Sequence, residues 1–146
     1  MTRSTRRTES AAATESLGAA LAEDLEPGDV VLVSGDVGAG KTTLIRGACR
    51  GLGVSGPITS PTFTIGHRYA GGRAPVSHLD LYRLKGLEGE DPGLLEDYLD
   101  PASIAFVEWP DVAAPQLRDR RVLGVRLAHA GGAARSIEMP GASTCK

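Results

Sequence analysis

At 146 residues, with 41% hydrophobic and 23% charged residues, the chain has the size and composition of one soluble globular domain with a single core. A net charge of −2 excludes a strong overall pull on nucleic acid, and no apolar run approaches the length of a membrane span. The cysteines, Cys49 and Cys145, have neither metal-ligand nor redox spacing, which fits a reducing cytoplasm.

In chain order, residues 1–13 read as a disordered tail. Arg3, Arg6 and Arg7 are not followed by an apolar stretch, so no secretory signal is expected. Glu15 to Leu25 reads as an amphipathic helix with Leu17, Leu21, Ala22 and Leu25 on one side and Thr14 as its cap. The turn Glu26-Pro27-Gly28-Asp29 feeds an apolar strand, Val30 to Val33. At once there follows Gly35-Asp36-Val37-Gly38-Ala39-Gly40-Lys41-Thr42-Thr43. This is G-x-x-x-x-G-K-[ST], the phosphate-binding loop, between an incoming strand and an outgoing helix, Thr42 to Leu52. Glycines let the backbone amides fold around phosphate oxygens, and the helix N-terminus adds donors and a positive dipole end. Gly38, Ala39, Gly40 and Thr43 are therefore read as nucleotide-contacting. Lys41 reaches the outer phosphates and the Thr42 hydroxyl ligates Mg²⁺.

After a loop punctuated by Gly53, Gly56, Pro57 and Pro61, Phe63 to Tyr69 and Pro75 to Leu81 read as a hairpin around Ala70-Gly71-Gly72-Arg73. Leu94 to Leu99 reads as a short helical piece. Ile104 to Val107 reads as a buried strand ending at Glu108. Val122 to Ala128 and Arg135 to Met139 are the final strands. The expected architecture is α/β, a P-loop NTPase-like three-layer fold whose mixed sheet is mostly parallel at its centre and antiparallel at its margins. One domain is expected over 14–140, with 141–146 as a second tail.

Hydrolysis needs more than a loop: a carboxylate near Mg²⁺ and a group that positions the nucleophile. Glu108, at the end of an apolar strand, stands where a Walker-B acid would, and the loop and this acid are read as lying two strands apart. In His78-Leu79-Asp80-Leu81-Tyr82-Arg83, alternation places His78, Asp80 and Tyr82 on one side of a strand. Asp80 there could orient water. His78 alone reads as a hydrogen-bonded structural residue. Ser60-Pro61-Thr62 lies where phosphate-loop proteins often carry a switch, although spacing alone makes it a turn before a strand. The acidic stretch Glu88 to Asp100 and the basic Arg118, Arg120 and Arg121 read as solvated faces, or as a docking surface in the acidic case. The absence of asparagine removes the Asn-Lys-x-Asp guanine-reading motif, and Leu-Ser-Gly-Gly of transporter ATPases is also missing.

Taken in order, Thr14-x-x-Leu17-Gly18, the loop from Gly35 to Thr43, Arg46-Gly47, Ser60-Pro61-Thr62-Phe63-Thr64, His78-Leu79-Asp80-Leu81-Tyr82-Arg83 and Glu108-Trp109-Pro110 resemble the bacterial TsaE (YjeE) family. The resemblance runs from about Thr14 to Met139. It implies a small ATPase needed for threonylcarbamoylation of adenosine 37 in tRNAs reading codons that begin with A. It also implies ATP and Mg²⁺ as cofactors and TsaD and TsaB as partners, with tRNA met through that complex. In residue terms it implies that Thr42 and Glu108 hold Mg²⁺, that Lys41 serves the phosphates, that Thr62 is the switch and that Asp80 assists hydrolysis. Thr14 would lie near the adenine and Arg135 would approach the nucleotide. Two other readings compete: an ATP-gated binding module without significant hydrolysis, and a small phosphotransferase with a lid built on Arg118 to Arg121.

Overall fold

A computed structural model of the chain describes residues 4–35, 39–56, 58, 66–80, 99–108 and 121–139. The described elements run β1 (Ser4–Thr8), α1 (Ala11–Ala22), β2 (Val30–Gly35), α2 (Lys41–Gly51), β3 (Gly66–Tyr69), β4 (Val76–Asp80), β5 (Ile104–Glu108), β6 (Val122–His129) and β7 (Arg135–Met139). All seven strands form one sheet in the order β1-β7-β6-β2-β5-β4-β3. The pairs β6–β2, β2–β5 and β5–β4 are parallel, whereas β1–β7, β7–β6 and β3–β4 are antiparallel. This is the expected mixed sheet, with a parallel centre and antiparallel margins.

Its hydrophobicity explains the centre. β5 is buried along its whole length, as are Val30, Val31 and Val33 of β2, because a parallel strand covered on both faces must be apolar on both. Val31, Val33, Ile104, Phe106, Val76, Leu123, Val125, Leu127 and Ile137 join the core that also takes in Leu21, Ala22, Leu44, Ile45 and Ala48 of the two helices. Val30, Leu79, Ala105 and Val107 point the other way by strand alternation and are buried as well. Full burial of each such aliphatic side chain contributes about 1.5–3 kcal/mol relative to exposure. Cys49 is fully buried on α2. Burial pushes its thiol up to about 12, against a smaller lowering by Arg50, so it behaves as a small hydrophobe.

α1 and α2 cross almost backbone to backbone. A β-carbon added at Gly47 would overlap the Glu15 carbonyl oxygen and lie 2.6 Å from the Glu15 carbonyl carbon. One added at Gly18 would overlap the Leu44 carbonyl oxygen and lie 2.9 Å from the Ala48 amide nitrogen. These glycines are needed for close approach rather than for an unusual φ. Their spacing sets the start of α2 beside the first turns of α1.

Three expectations need correction. Residues 4–13 are not a tail: Ser4 to Thr8 pair with Met139 to Arg135 in an antiparallel ladder, and α1 begins at Ala11. The strand Ser-Thr-Arg-Arg-Thr is exposed except at Thr8, so main-chain bonding rather than side-chain burial holds this edge. Secondly, Ser10 caps α1, its side chain accepting the Ala13 N–H at 3.1 Å, and three alanines of high helix propensity follow. Thr14 lies within the helix, and Leu25 is buried in the turn after it. Finally, Glu108 is not two strands from the loop strand, because β5 lies directly beside β2, with Val33 opposite Glu108. The hairpin is present as β3 and β4, with Tyr69 opposite Val76. The proposed helical piece ending at Leu99 lies, up to residue 98, outside the described residues.

Candidate functional site

The loop strand, its two parallel neighbours on the β5 side and the polar end of the β1–β7 ladder all deliver their chemistry to one edge of the sheet. Gly35 ends β2, Glu108 ends β5 and Asp80 ends β4. Ligand sites of open α/β sheets lie off these carboxyl ends. Because β6 and β7 are antiparallel, His129 at the end of β6 faces Arg135 at the start of β7, and Thr8 at the end of β1 faces Arg135 from the other side.

Gly40 precedes α2 with φ +97°, the left-handed region that favours glycine, and no side chain caps the helix. First-turn amides have no carbonyl one turn earlier to bond within the helix, which makes such an end an anion site. Ala39 is fully buried beneath it, and Thr42 and Thr43 are half-buried on the first turn. Lys41 turns back so that its Nζ donates to the Gly35 carbonyl oxygen at 2.6 Å, linking the two ends of the loop. Gly38 and Thr62 lie outside the described residues, as do Trp109, Tyr82 and Arg83.

Around Gly40 three side chains converge. From where its β-carbon would be, Leu127 Cδ2 lies at 3.6 Å, Arg135 Nε at 3.8 Å and Thr14 Cγ2 at 3.9 Å. Two residues far apart in sequence, Thr14 and Arg135, thus flank the start of α2 together. Arg135 Nη1 donates to the Gly132 and Ala134 carbonyls at 2.8 Å each, which fixes the guanidinium on the β6–β7 turn. The Thr14 hydroxyl is buried, donates to the Ser10 carbonyl oxygen at 3.2 Å and shares a 2.7 Å hydrogen bond with the Thr8 hydroxyl. Sequence reasoning missed Thr8. Nothing in a polar edge strand marks it, and only the ladder brings it to Thr14.

On the other side of the loop, Asp80 and Glu108 occupy opposed positions on adjacent parallel strands, with their side chains on the same face. His78 Nε2 lies 2.7 Å from Glu108 Oε2, and both side chains are withdrawn from water (0% and 5% exposed). A carboxylate only accepts, so Nε2 carries the hydrogen of this bond. Two acids side by side at the end of apolar strands repel one another unless a cation lies near them. Carboxylate and hydroxyl oxygens are the hard donors that Mg²⁺ selects, and it commonly takes only one or two carboxylates because substrate phosphates complete its shell. Glu108, Asp80 and Thr42 offer oxygen donors of this kind at the same edge of the sheet. Among the described residues no group of three or more His, Cys, Asp or Glu stands together as an all-protein metal cage.

Of the basic stretch, Arg118 and Arg120 lie outside the described residues, and Arg121 is engaged away from the loop. Arg121 pairs with the buried Asp29 at 3.1 Å and donates to the Asp24 carbonyl oxygen at 2.8 Å. It immediately precedes Val122, which faces Val30, so it lies at the end of the sheet opposite the loop. Its guanidinium is thus committed to Asp29 and the Asp24 carbonyl, away from the loop. Asp100, the described end of the acidic stretch, accepts the Ala102 N–H at 2.9 Å. No helix among the described residues is long and apolar enough to cross a membrane.

Known proteins resemble this chain in sequence and in fold. The family described as "Threonylcarbamoyl adenosine biosynthesis protein TsaE" matches residues 8–137. The tRNA threonylcarbamoyladenosine biosynthesis protein TsaE of Synechocystis is 48% identical over 110 residues, covering 72% of this chain and 68% of that protein. The proteins of the same name from Streptomyces coelicolor and Bacillus subtilis are 44% identical over 108 residues (73% of each chain) and 41% identical over 112 residues (77% and 69%). The crystal structure of Bacillus subtilis YdiB superimposes with a TM-score of 0.77 at 30% identity, covering 97% of this chain and 87% of that one. The family match begins at Thr8 and ends at Ile137, so it spans both flanks of the Gly40 cluster, and the chain belongs to the TsaE family of tRNA threonylcarbamoyladenosine biosynthesis proteins.

Proposed function

We propose that the chain is a Mg²⁺-dependent ATPase subunit that works in the cytoplasm with TsaD and TsaB, supporting the turnover of their complex as it modifies adenosine 37 of tRNA. The observation that carries this reading is the convergence of Lys41, Thr14 and Arg135 around the start of α2, with Glu108 and Asp80 on the neighbouring strand ends. Cationic groups and helix amides stand on one side of the loop, and acids stand on the other. That polarity suits a polyphosphate with its counter-ion.

In this reading the α2 amides and Lys41 Nζ bind the β- and γ-phosphates, exchanging the Gly35 carbonyl for phosphate oxygen. Thr42 and Glu108 hold Mg²⁺, which when bound neutralises charge on the transferring phosphoryl group. Asp80, one strand further out, holds the attacking water by accepting its hydrogen. Thr62 senses the terminal phosphate. Arg135, pinned by two carbonyls, lies against the nucleotide without swinging. Thr14, held by Thr8, packs beside the adenine.

Single-turnover hydrolysis of radiolabelled ATP, with and without purified TsaD and TsaB, tests the proposal. Phosphate release should be slow for the chain alone and rise at least tenfold with both partners, the change expected when a partner completes a site. ATP-dependent association without phosphate release would replace the ATPase with the binding-module reading.

A further inference from the structure

His78 is a fully buried polar side chain beside Glu108 that the mechanism above does not use. It lies in the middle of the sheet, on β4, with 0% of its side chain exposed. Nε2 donates to Glu108 Oε2, while Nδ1 is buried and has no hydrogen-bond partner among the described residues. A buried ring nitrogen left without a partner is unfavourable, and an apolar residue of similar size would avoid it. Phe106, opposite His78 on β5, shows that the surroundings accept a large apolar side chain. What the imidazole provides that such a residue cannot is the single N–H aimed at Glu108.

We propose that His78 is the positioning residue for the acidic end of the site: its Nε2–H fixes the Glu108 carboxylate in the orientation from which it meets the divalent ion. This rests on the reading of Glu108 as an ion-holding acid. Three observations carry it. The bond is short, at 2.7 Å, and both partners are withdrawn from water, so solvent does not compete with it. The two groups come from adjacent strands in rigid parallel register, with His78 opposite Phe106 and Asp80 opposite Glu108. His78 therefore reaches diagonally across to the carboxylate from one step back along the strand, while Asp80 stands directly beside it. Finally, Glu108 is the last residue of its strand, and a glutamate side chain has several torsions that a hydrogen-bonded partner can set. Groups that orient a metal-binding carboxylate commonly govern metal affinity about 10–100-fold when removed.

The test compares His78→Leu, which fills the space without a donor, with His78→Gln, whose terminal amide can place an N–H near the position of Nε2. Glu108→Gln serves as the reference. Two quantities are read: the Mg²⁺ concentration that half-saturates binding of a fluorescent ATP analogue, and the affinity for the same analogue in EDTA. His78→Leu should raise the Mg²⁺ requirement about tenfold or more and leave the EDTA affinity within about twofold. His78→Gln should restore most of the difference. An unchanged Mg²⁺ requirement in His78→Leu, with a raised one in Glu108→Gln, overturns the positioning role alone. Equal defects in the Leu and Gln variants also overturn it, because shape and not the donor would then be what matters. An unchanged requirement in Glu108→Gln removes Glu108 as an ion ligand, and this inference falls with it.

Discussion

On the proposed ATPase reading, replacing Lys41 with alanine should lower ATP turnover in the presence of TsaD and TsaB by about 100–1,000-fold, the loss expected when one well-placed donor to a developing charge is removed. Lys41 stands at the first position of α2, and its ammonium already reaches across the loop mouth to the Gly35 carbonyl. A bound polyphosphate supplies a charged acceptor in place of that neutral one, and charge-assisted hydrogen bonds are roughly twice as strong. The fold should tolerate the change: Lys41 is partly exposed, so the melting temperature of the ligand-free chain should move by only a few degrees. Phosphate release measured beside a thermal melt of the same sample checks both halves. Parental turnover in a well-folded Lys41→Ala chain would show that the loop does not serve hydrolysis.

The second large effect is on folding. Gly47→Ala should cost about 3 kcal/mol or more, at the upper end of overpacking penalties, because the new methyl group meets the Glu15 backbone rather than the tip of a flexible side chain. For a domain of this length that corresponds to a fall in melting temperature of roughly 10 °C. Gly71→Ala is the matched control. Its φ is +96°, but a β-carbon there would meet nothing within 4 Å, so only backbone strain of about 1 kcal/mol is expected. Prising α1 from α2 would also carry Thr14 away from Gly40, so the nucleotide affinity of the surviving folded chain should fall as well. If Gly47→Ala melts no lower than Gly71→Ala, the helices are not held at contact distance by this glycine.

What could be read from the sequence followed from periodicity and from loop chemistry. The apolar run of β2, the phosphate loop and the 3.6-residue pattern of Leu44, Ile45, Ala48 and Leu52 each carry a local signal, and the structure places strand, loop start and helix accordingly. β5 was legible because Ile104 to Val107 form an unbroken apolar run, and all four are buried. β1 was not, since four of its five side chains face water and its pairing to β7 is made by the backbone. The motif glycines Gly18 and Gly47 were visible as residues, yet their reason lies in a helix crossing that no local pattern encodes. The same holds for His78. Alternation puts it on the face of Asp80, but its partner Glu108 is thirty residues away on another strand. The closeness of Thr14, Gly40 and Arg135 depends likewise on the order of strands, which brings β7 and β1 round to the loop.

The central claim, that this edge of the sheet grips a nucleoside triphosphate with its divalent ion, is tested most directly by titration calorimetry of the chain with Mg²⁺ and ATP, read beside a thermal melt. A saturable heat at one site per chain is predicted. Ligand at a hundredfold excess over the dissociation constant should add about 2.7 kcal/mol of stability, with a matching rise in melting temperature. No heat together with an unmoved melting temperature would contradict it.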